Sequence, residues 1–188
     1  MSAADPSVLD KLVRYLARPP QGAPEGAGSV LVVAAMSYGA RPADHDTTVP
    51  TGFDPQAAAL FESVVEAAFL VASADGHFDA DERRAFESVV HRSCGRGVSE
   101  RQIQALLADL EELYQEDGLE HRLSMVGRLV TKESHQREVL RVASLLASIS
   151  GGVDDAERHV LERLAATFGL GGAAVDDALR DVRSALAS

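Results

Sequence analysis

One pattern of twenty residues occurs twice in this chain, and it restricts the fold more than any other feature of the sequence. Residues 68–87 read AFLVASADGHFDADERRAFE, and residues 143–162 read ASLLASISGGVDDAERHVLE. Nine of the twenty positions are identical, without a gap, at a constant offset of 75 residues. A match of this kind indicates a duplicated unit that consists of an apolar helix, a turn and a second helix.

Each copy carries local signals for one helix that ends and another that begins. Gly76 and Gly151 can adopt the left-handed conformation that ends a helix. Three residues later, Asp79 and Asp154 are suited to the N-cap position, and a glutamate follows each of them after three more residues, as in a capping box. Folding alone can therefore explain the whole motif, without any bound ligand.

The sequence from residue 54 to residue 188 predicts further helices and no strand. Apolar stripes at helical spacing follow one another and are separated by glycines, and the stripe from Ile103 to Tyr114 is the most regular. Gly118 is expected to interrupt the helix that carries this stripe. We predict an all-α fold, a compact bundle of seven or eight helices with two pseudo-repeated helix–turn–helix units.

Residues 1–53 form the other part of the predicted organisation. A short helix is expected from Pro6 to about Ala17, because Asp5 and Pro6 match an N-cap and a first-turn proline. The following segment, residues 19–53, is rich in proline and glycine, which indicates a linker or an irregular wrap over the bundle. Its apolar piece, Val30–Met36, either docks in extended form or begins a short helix.

The first copy places the motif Ala-Asp-Gly-His-Phe-Asp, residues 74–79, at the end of an apolar helix, and Glu82 follows. This motif resembles the signature of tellurite-resistance TerB-like domains, a family that includes the TerB proteins and the N-terminal part of a membrane-anchored DnaJ-type co-chaperone. Members of that family hold two such copies in one helical bundle. The resemblance covers residues 55–187 and implies a non-enzymatic interaction or scaffold module that is associated with stress responses.

The resemblance also implies an alternative function, divalent metal binding by the acidic turns of the two copies. The residues that would bind the metal are Asp75, Asp79, Glu82, Asp154 and Glu157. Ser150 stands where the second copy of the family has its first aspartate, which removes one carboxylate from the set. A divalent cation is the one cofactor that the resemblance implies, and no other cofactor is expected.

Other metal-binding and catalytic arrangements are disfavoured by the residues themselves. In an EF-hand alignment that puts Gly76 at the central glycine of the loop, two ligand positions fall on Val71 and Ser73, and valine offers no side-chain oxygen. The histidines lack the spacing of a zinc motif. Cys94 is the single cysteine, and the sequence identifies no base to activate it. We therefore predict that the chain is not an enzyme.

The charge distribution predicts the kind of partner. The formal net charge of −11 disfavours binding to nucleic acid. An arginine cluster precedes an acidic stretch between Asp109 and Glu120, and together they are either solvated helix faces or a docking surface for a partner protein or a second copy of the chain. The members of the cluster are Arg83, Arg84, Arg92, Arg96 and Arg101.

The expected location is the cytoplasm. The sequence does not start with basic residues followed by an apolar stretch, so no secretory signal is expected. The longest apolar run, Val30–Met36, is too short to span a bilayer, so no membrane insertion is expected.

Overall fold

Every regular element that the computed structural model describes is helical, as the sequence predicts. The structure describes residues 5–20, 28–41, 53–76 and 78–187. A short 3₁₀ helix (Ser148–Ser150) and eight α-helices lie in these ranges, which confirms the predicted number: α1 (Pro6–Leu16), α2 (Val30–Gly39), α3 (Pro55–Ala72), α4 (Ala80–Cys94), α5 (Glu100–Leu129), α6 (Glu133–Ala147), α7 (Asp155–Thr167) and α8 (Gly172–Ala187).

Three helices begin at the caps that the sequence predicts, which are Asp5, Asp79 and Asp154. In all, five helices start with a side chain that accepts a backbone N–H from the first turn, namely Asp5, Asp54, Asp79, Ser99 and Asp154. Such caps satisfy amide groups that have no partner inside the helix. The boundaries of these helices therefore follow from local chemistry.

Gly118 divides α5 into two parts, as predicted, because its φ of 73° is not helical. Arg122 fixes the second part to α3. Its Nε donates to Glu66 Oε1 at 2.6 Å, and its Nη1 donates to Asp117 Oδ2 at 3.1 Å, just before the break. Burial raises the pKa of Glu66, and the hydrogen bond from Arg122 opposes this shift.

The first helices of the two repeats, α3 and α6, form the centre of the bundle and pack against each other. Eleven residues of α3 and ten residues of α6 are buried. The paired repeat positions Ala68 and Ala143 are both fully buried. Among the described helices, α3 alone is long and apolar enough to cross a membrane, and 61% of it is buried inside this fold.

The N-terminal helices α1 and α2 pack against this centre. Leu12 and Leu16 of α1 and Leu31 and Ala35 of α2 are fully buried. The apolar piece at Val30–Met36 is thus helical, which is one of the two predicted alternatives. Residues 21–27 and 42–52 of the proline- and glycine-rich segment lie outside the described residues, and the domain boundary at residue 53 stays a prediction.

A buried ion pair on α6 holds both N-terminal helices. Glu138 and Arg141 are 4% and 5% exposed. The guanidinium of Arg141 donates to the carbonyl oxygens of Tyr15, in the last turn of α1, and of Arg18, just after it, each at 3.1 Å. Glu138 Oε1 lies 3.4 Å from Arg141 Nη2 and accepts the N–H of Val30 at 2.7 Å, where α2 begins.

We predict that Arg141→Met lowers the free energy of unfolding by about 3 kcal/mol, because it leaves the Glu138 carboxylate buried without its cation. Chemical denaturation measures the loss, and hydrogen exchange should rise first in α1. Arg137→Met is the matched control on the same helix, since that side chain is 52% exposed and its loss should change stability by less than about 1 kcal/mol. Equal losses in the two variants would contradict the anchoring role.

Gly39 marks a backbone contact between the end of α2 and the loop that joins α4 to α5. A Cβ atom at this position would lie 1.9 Å from the carbonyl oxygen of Gly97. We expect Gly39→Ala to lower the free energy of unfolding by about 3 kcal/mol, because backbone must move to admit the methyl group. Gly171→Ala is the control, since no atom lies within 4 Å of the added carbon. Thermal unfolding of both variants tests the contact.

Candidate functional site

The turns of the two repeats meet at one cavity of about 50 Å³. Each repeat contributes two carboxylates to its wall, namely Asp75 and Glu82 from the first copy and Asp154 and Glu157 from the second. Asp75 and Asp154 are exposed, Glu82 is half-buried and Glu157 is buried. The carboxylates thus extend from the surface inward, and the volume is large enough for water or for one small cationic group.

Apolar side chains form the rest of the cavity wall, among them Phe78, Phe86, Leu146 and Ile149. The rings of Phe78 and Phe86 pack edge to face, with their centroids 5.8 Å apart and an interplanar angle of 89°. Phe69 continues this arrangement, with its centroid 5.5 Å from that of Phe78. Packed rings of this kind hold the wall in a defined shape.

Both repeats form complete capping boxes, as predicted. In the second copy, Asp154 Oδ1 accepts the N–H of Glu157, and Glu157 Oε2 accepts the N–H of Asp154, both at 2.8 Å. In the first copy, Asp79 Oδ1 accepts the N–H of Glu82 at 2.9 Å, and Glu82 Oε2 accepts the N–H of Asp79 at 3.1 Å. Each glutamate uses one oxygen in its box, and the other oxygen can accept a further bond.

The surroundings of Glu157 destabilise the charged form of its carboxyl group. Burial raises the pKa of its carboxyl group to about 7, the capping bond to the backbone of Asp154 opposes the shift, and the charges of Asp154, Asp75 and Glu82 add to it. Asp79 behaves in the opposite way, because hydrogen bonds from the backbone of Glu82 and Asp81 lower its pKa. The cavity therefore concentrates negative charge, and the carboxyl group of Glu157 gains or loses its proton near neutral pH.

The structure brings four of the five predicted metal ligands together and leaves one aside. Asp79 caps α4 and does not line the cavity. Within the described ranges, no group of three or more His, Cys, Asp or Glu side chains is placed to hold a metal ion. The metal-binding alternative therefore has no support in the geometry of the described residues.

The predicted arginine surface is largely engaged in internal ion pairs. Arg83 Nη2 lies 3.0 Å from Glu111 Oε2 on α5. Arg84 pairs with Asp81 one turn away, and Arg92 pairs with Asp10 of α1. Arg96 and Arg101 are exposed. Arg83 and Arg92 thus connect α4 to α5 and α1, and a docking role for the cluster stays a prediction.

Sequence reasoning missed several buried charges of the core, among them Glu66, Glu138 and Arg141. A signal for Glu66 and Arg141 is present, because each is a charged residue between apolar neighbours of its helix. It also missed the apolar wall of the cavity, whose members come from four separate segments. Cys94 is buried in the core, and burial raises the pKa of its thiol to about 12, so it carries no thiolate at neutral pH.

The fold and the site define the class of this protein, a helical domain built from a duplicated helix–turn–helix unit with an acidic cavity between the copies. The sequence model of the family described as tellurite resistance protein TerB matches residues 61–180, more than half of the chain. The chain therefore belongs to the TerB family. The comparison with curated proteins finds no match, and no solved structure matches either.

The raised pKa of Glu157 predicts how stability depends on pH. Since the folded state holds this proton more tightly than the unfolded state, in which the pKa is near its ordinary value of 4.5, the contribution of Glu157 to stability falls as the pH rises from 4.5 to about 7. We expect Glu157→Gln, which preserves the capping acceptor, to raise the free energy of unfolding by about 1–3 kcal/mol near pH 8 and by little near pH 4.5. Parallel pH profiles of the two proteins in chemical denaturation would contradict this assignment.

Proposed function

We propose that this TerB domain is a non-enzymatic binding module for a partner protein, and that its acidic cavity receives a basic side chain of that partner. The observation that carries the proposal is the meeting of four carboxylates, two from each repeat, around one small cavity with an apolar wall. Such a site attracts a lysine ammonium or an arginine guanidinium group. The name of the family connects the module with tellurite resistance, and an accessory role in a stress response is part of this proposal.

A basic side chain suits the cavity better than a metal ion does. Calcium requires about six or more oxygen ligands, and magnesium requires near-octahedral geometry. A lysine ammonium is satisfied by about three acceptors, and its methylene stem packs on apolar surface. The rings of Phe78 and Phe86 provide that surface beside the carboxylates of Glu82 and Glu157.

The test uses a fluorescein-labelled peptide that carries one lysine between apolar residues, and a twin in which this lysine is acetylated. We expect the lysine peptide to bind and the acetylated twin to bind about tenfold more weakly. The double variant Glu82→Gln/Glu157→Gln keeps both capping boxes, and it should weaken binding of the lysine peptide by about tenfold in fluorescence anisotropy. Affinity should also rise between about pH 6 and about pH 8 as Glu157 loses its proton.

The matched control is Glu112→Gln/Glu116→Gln on α5, which removes the same number of charges from exposed positions outside the cavity. Equal weakening in the two double variants would show that the peptide responds only to net charge and would refute the site. Calorimetry with calcium, magnesium, manganese and zinc provides the second arm. A binding heat that the cavity variant abolishes would establish a metal site in place of the proposed one.

A further inference from the structure

Three of the four carboxylates around the acidic cavity use one of their two oxygens in a capping box. Glu82 Oε2 accepts the N–H of Asp79. Glu157 Oε2 and Asp154 Oδ1 accept the backbone N–H groups of each other's residues. The second oxygens, which are Oε1 of both glutamates and Oδ2 of Asp154, accept no hydrogen bond from any described residue. The cavity therefore offers single oxygens that belong to separate residues.

The cavity also lacks a counter-ion of its own in the described part of the chain. None of the described residues that line it is a lysine, an arginine or a histidine. An arginine directly follows each capping glutamate in the sequence, but it pairs elsewhere. Arg83 Nη2 lies 3.0 Å from Glu111 Oε2, on α5. Arg158 pairs with Glu162 at 3.0 Å and with Asp176 at 2.9 Å.

Glu157 is the most deeply buried of the four carboxylates, with 7% of its surface exposed. Its burial and the charges of the other three carboxylates disfavour its ionised form. A buried carboxylate with an unpaired oxygen is costly unless a donor or a counter-ion reaches it. The arrangement therefore favours a ligand that is a cation, donates hydrogen bonds and enters the cavity.

Lysine and arginine side chains require different sets of acceptors. An ammonium group has three donors that point in separate directions, so it can bond to single oxygens of three different carboxylates. A guanidinium group is a planar fork, and its strongest pairing uses both oxygens of one carboxylate. Glu82 and Glu157 can provide both oxygens only if their capping boxes open.

The size of the cavity favours the smaller cation. A space of roughly 10–15 Å³ holds one water molecule, so a cavity of about 50 Å³ has room for an ammonium group and the end of its methylene stem. The four heavy atoms of a guanidinium group form a wider plane. A guanidinium that pairs with the exposed Asp75 would remain in water, where ion pairs contribute little.

We infer that the acidic cavity selects lysine over arginine, because the capping boxes leave single carboxylate oxygens where arginine requires a pair. This inference rests on the proposed function, which requires only that a basic side chain enters the cavity. The ammonium group bonds to Oε1 of Glu82, Oε1 of Glu157 and Oδ2 of Asp154. Its methylene stem packs on the apolar wall that includes Phe78 and Phe86.

The test uses three fluorescein-labelled peptides that differ at one position, which is lysine, arginine or the uncharged norleucine. Fluorescence anisotropy is measured at pH 8, where Glu157 is mainly ionised. We expect the arginine peptide to bind at least about tenfold more weakly than the lysine peptide, and the norleucine peptide to bind no better than the arginine peptide. Glu82→Gln/Glu157→Gln should reduce this preference to within about twofold, whereas the exposed control Glu112→Gln/Glu116→Gln should retain it.

The backbone N–H of residue 79 allows a second test that leaves the charge of the cavity wall unchanged. Asp79 does not line the cavity, and its φ of −73° suits proline, which has no N–H. Asp79→Pro frees Glu82 Oε2, so Glu82 gains two oxygens for a guanidinium group. We expect the preference for lysine to fall to about threefold, mainly because the arginine peptide binds more tightly.

Asp79→Ala is the matched control for the proline variant. Both variants lose the capping carboxylate of Asp79, but the alanine variant keeps the N–H that Glu82 accepts, so it should retain the preference of about tenfold. Circular dichroism melting curves show whether the two variants are equally folded at the temperature of the assay. An equal fall of the preference in both would contradict the role of the capping bond.

The outcomes separate this inference from the proposed function. Equal binding of the lysine and arginine peptides, lost together in Glu82→Gln/Glu157→Gln, would overturn the inference and leave the proposed function intact. Binding of neither peptide would refute both. A preference for lysine that persists in Glu82→Gln/Glu157→Gln would place its origin outside the cavity, and this result would also overturn the inference.

Discussion

The packing of α3 against α6 is the contact on which the rest of this structure depends. These helices are equivalent in the two repeats, and they run in the same direction, since residues at the N-terminal ends of both line one groove of about 430 Å³ and residues at the C-terminal ends of both line the acidic cavity. The turns that follow both helices meet at the cavity, where α4 and α7 begin. The duplication therefore brings the capping residues of two helices to one place.

In the acidic cavity, helix capping and electrostatic repulsion between carboxylates have opposite effects on stability. Capping boxes place an aspartate and a glutamate at the start of α4 and of α7, and each box stabilises its own helix. The packing of the repeats then moves the two sets of carboxylates together, and burial with mutual repulsion raises the pKa of Glu157. In the function proposed above, the cation of a partner would relieve this repulsion, so the feature that weakens the free domain would also favour binding.

The buried pair of Glu138 and Arg141 shows how a charged contact can organise a bundle of apolar helices. Apolar packing has little directionality, whereas these side chains bond to particular backbone groups at the end of α1 and at the start of α2. α2 is thereby held with one apolar face in the core and the other in solvent. The exposed face and the groove beside it are consequences of this anchoring.

The sequence by itself determined the local structure of this protein. The offset of 75 residues, the capping residues and the glycines predicted the repeat, the helix boundaries and the all-α class, because these signals act over a few residues. Through the resemblance to TerB-like domains, it also identified an acidic set of five residues, namely Asp75, Asp79, Glu82, Asp154 and Glu157. Only the tertiary structure decided that four of them share a cavity, that Asp79 stays outside it, and that α2 forms one wall of a groove. These facts depend on contacts between residues far apart in the chain, and no local pattern encodes which helix faces meet.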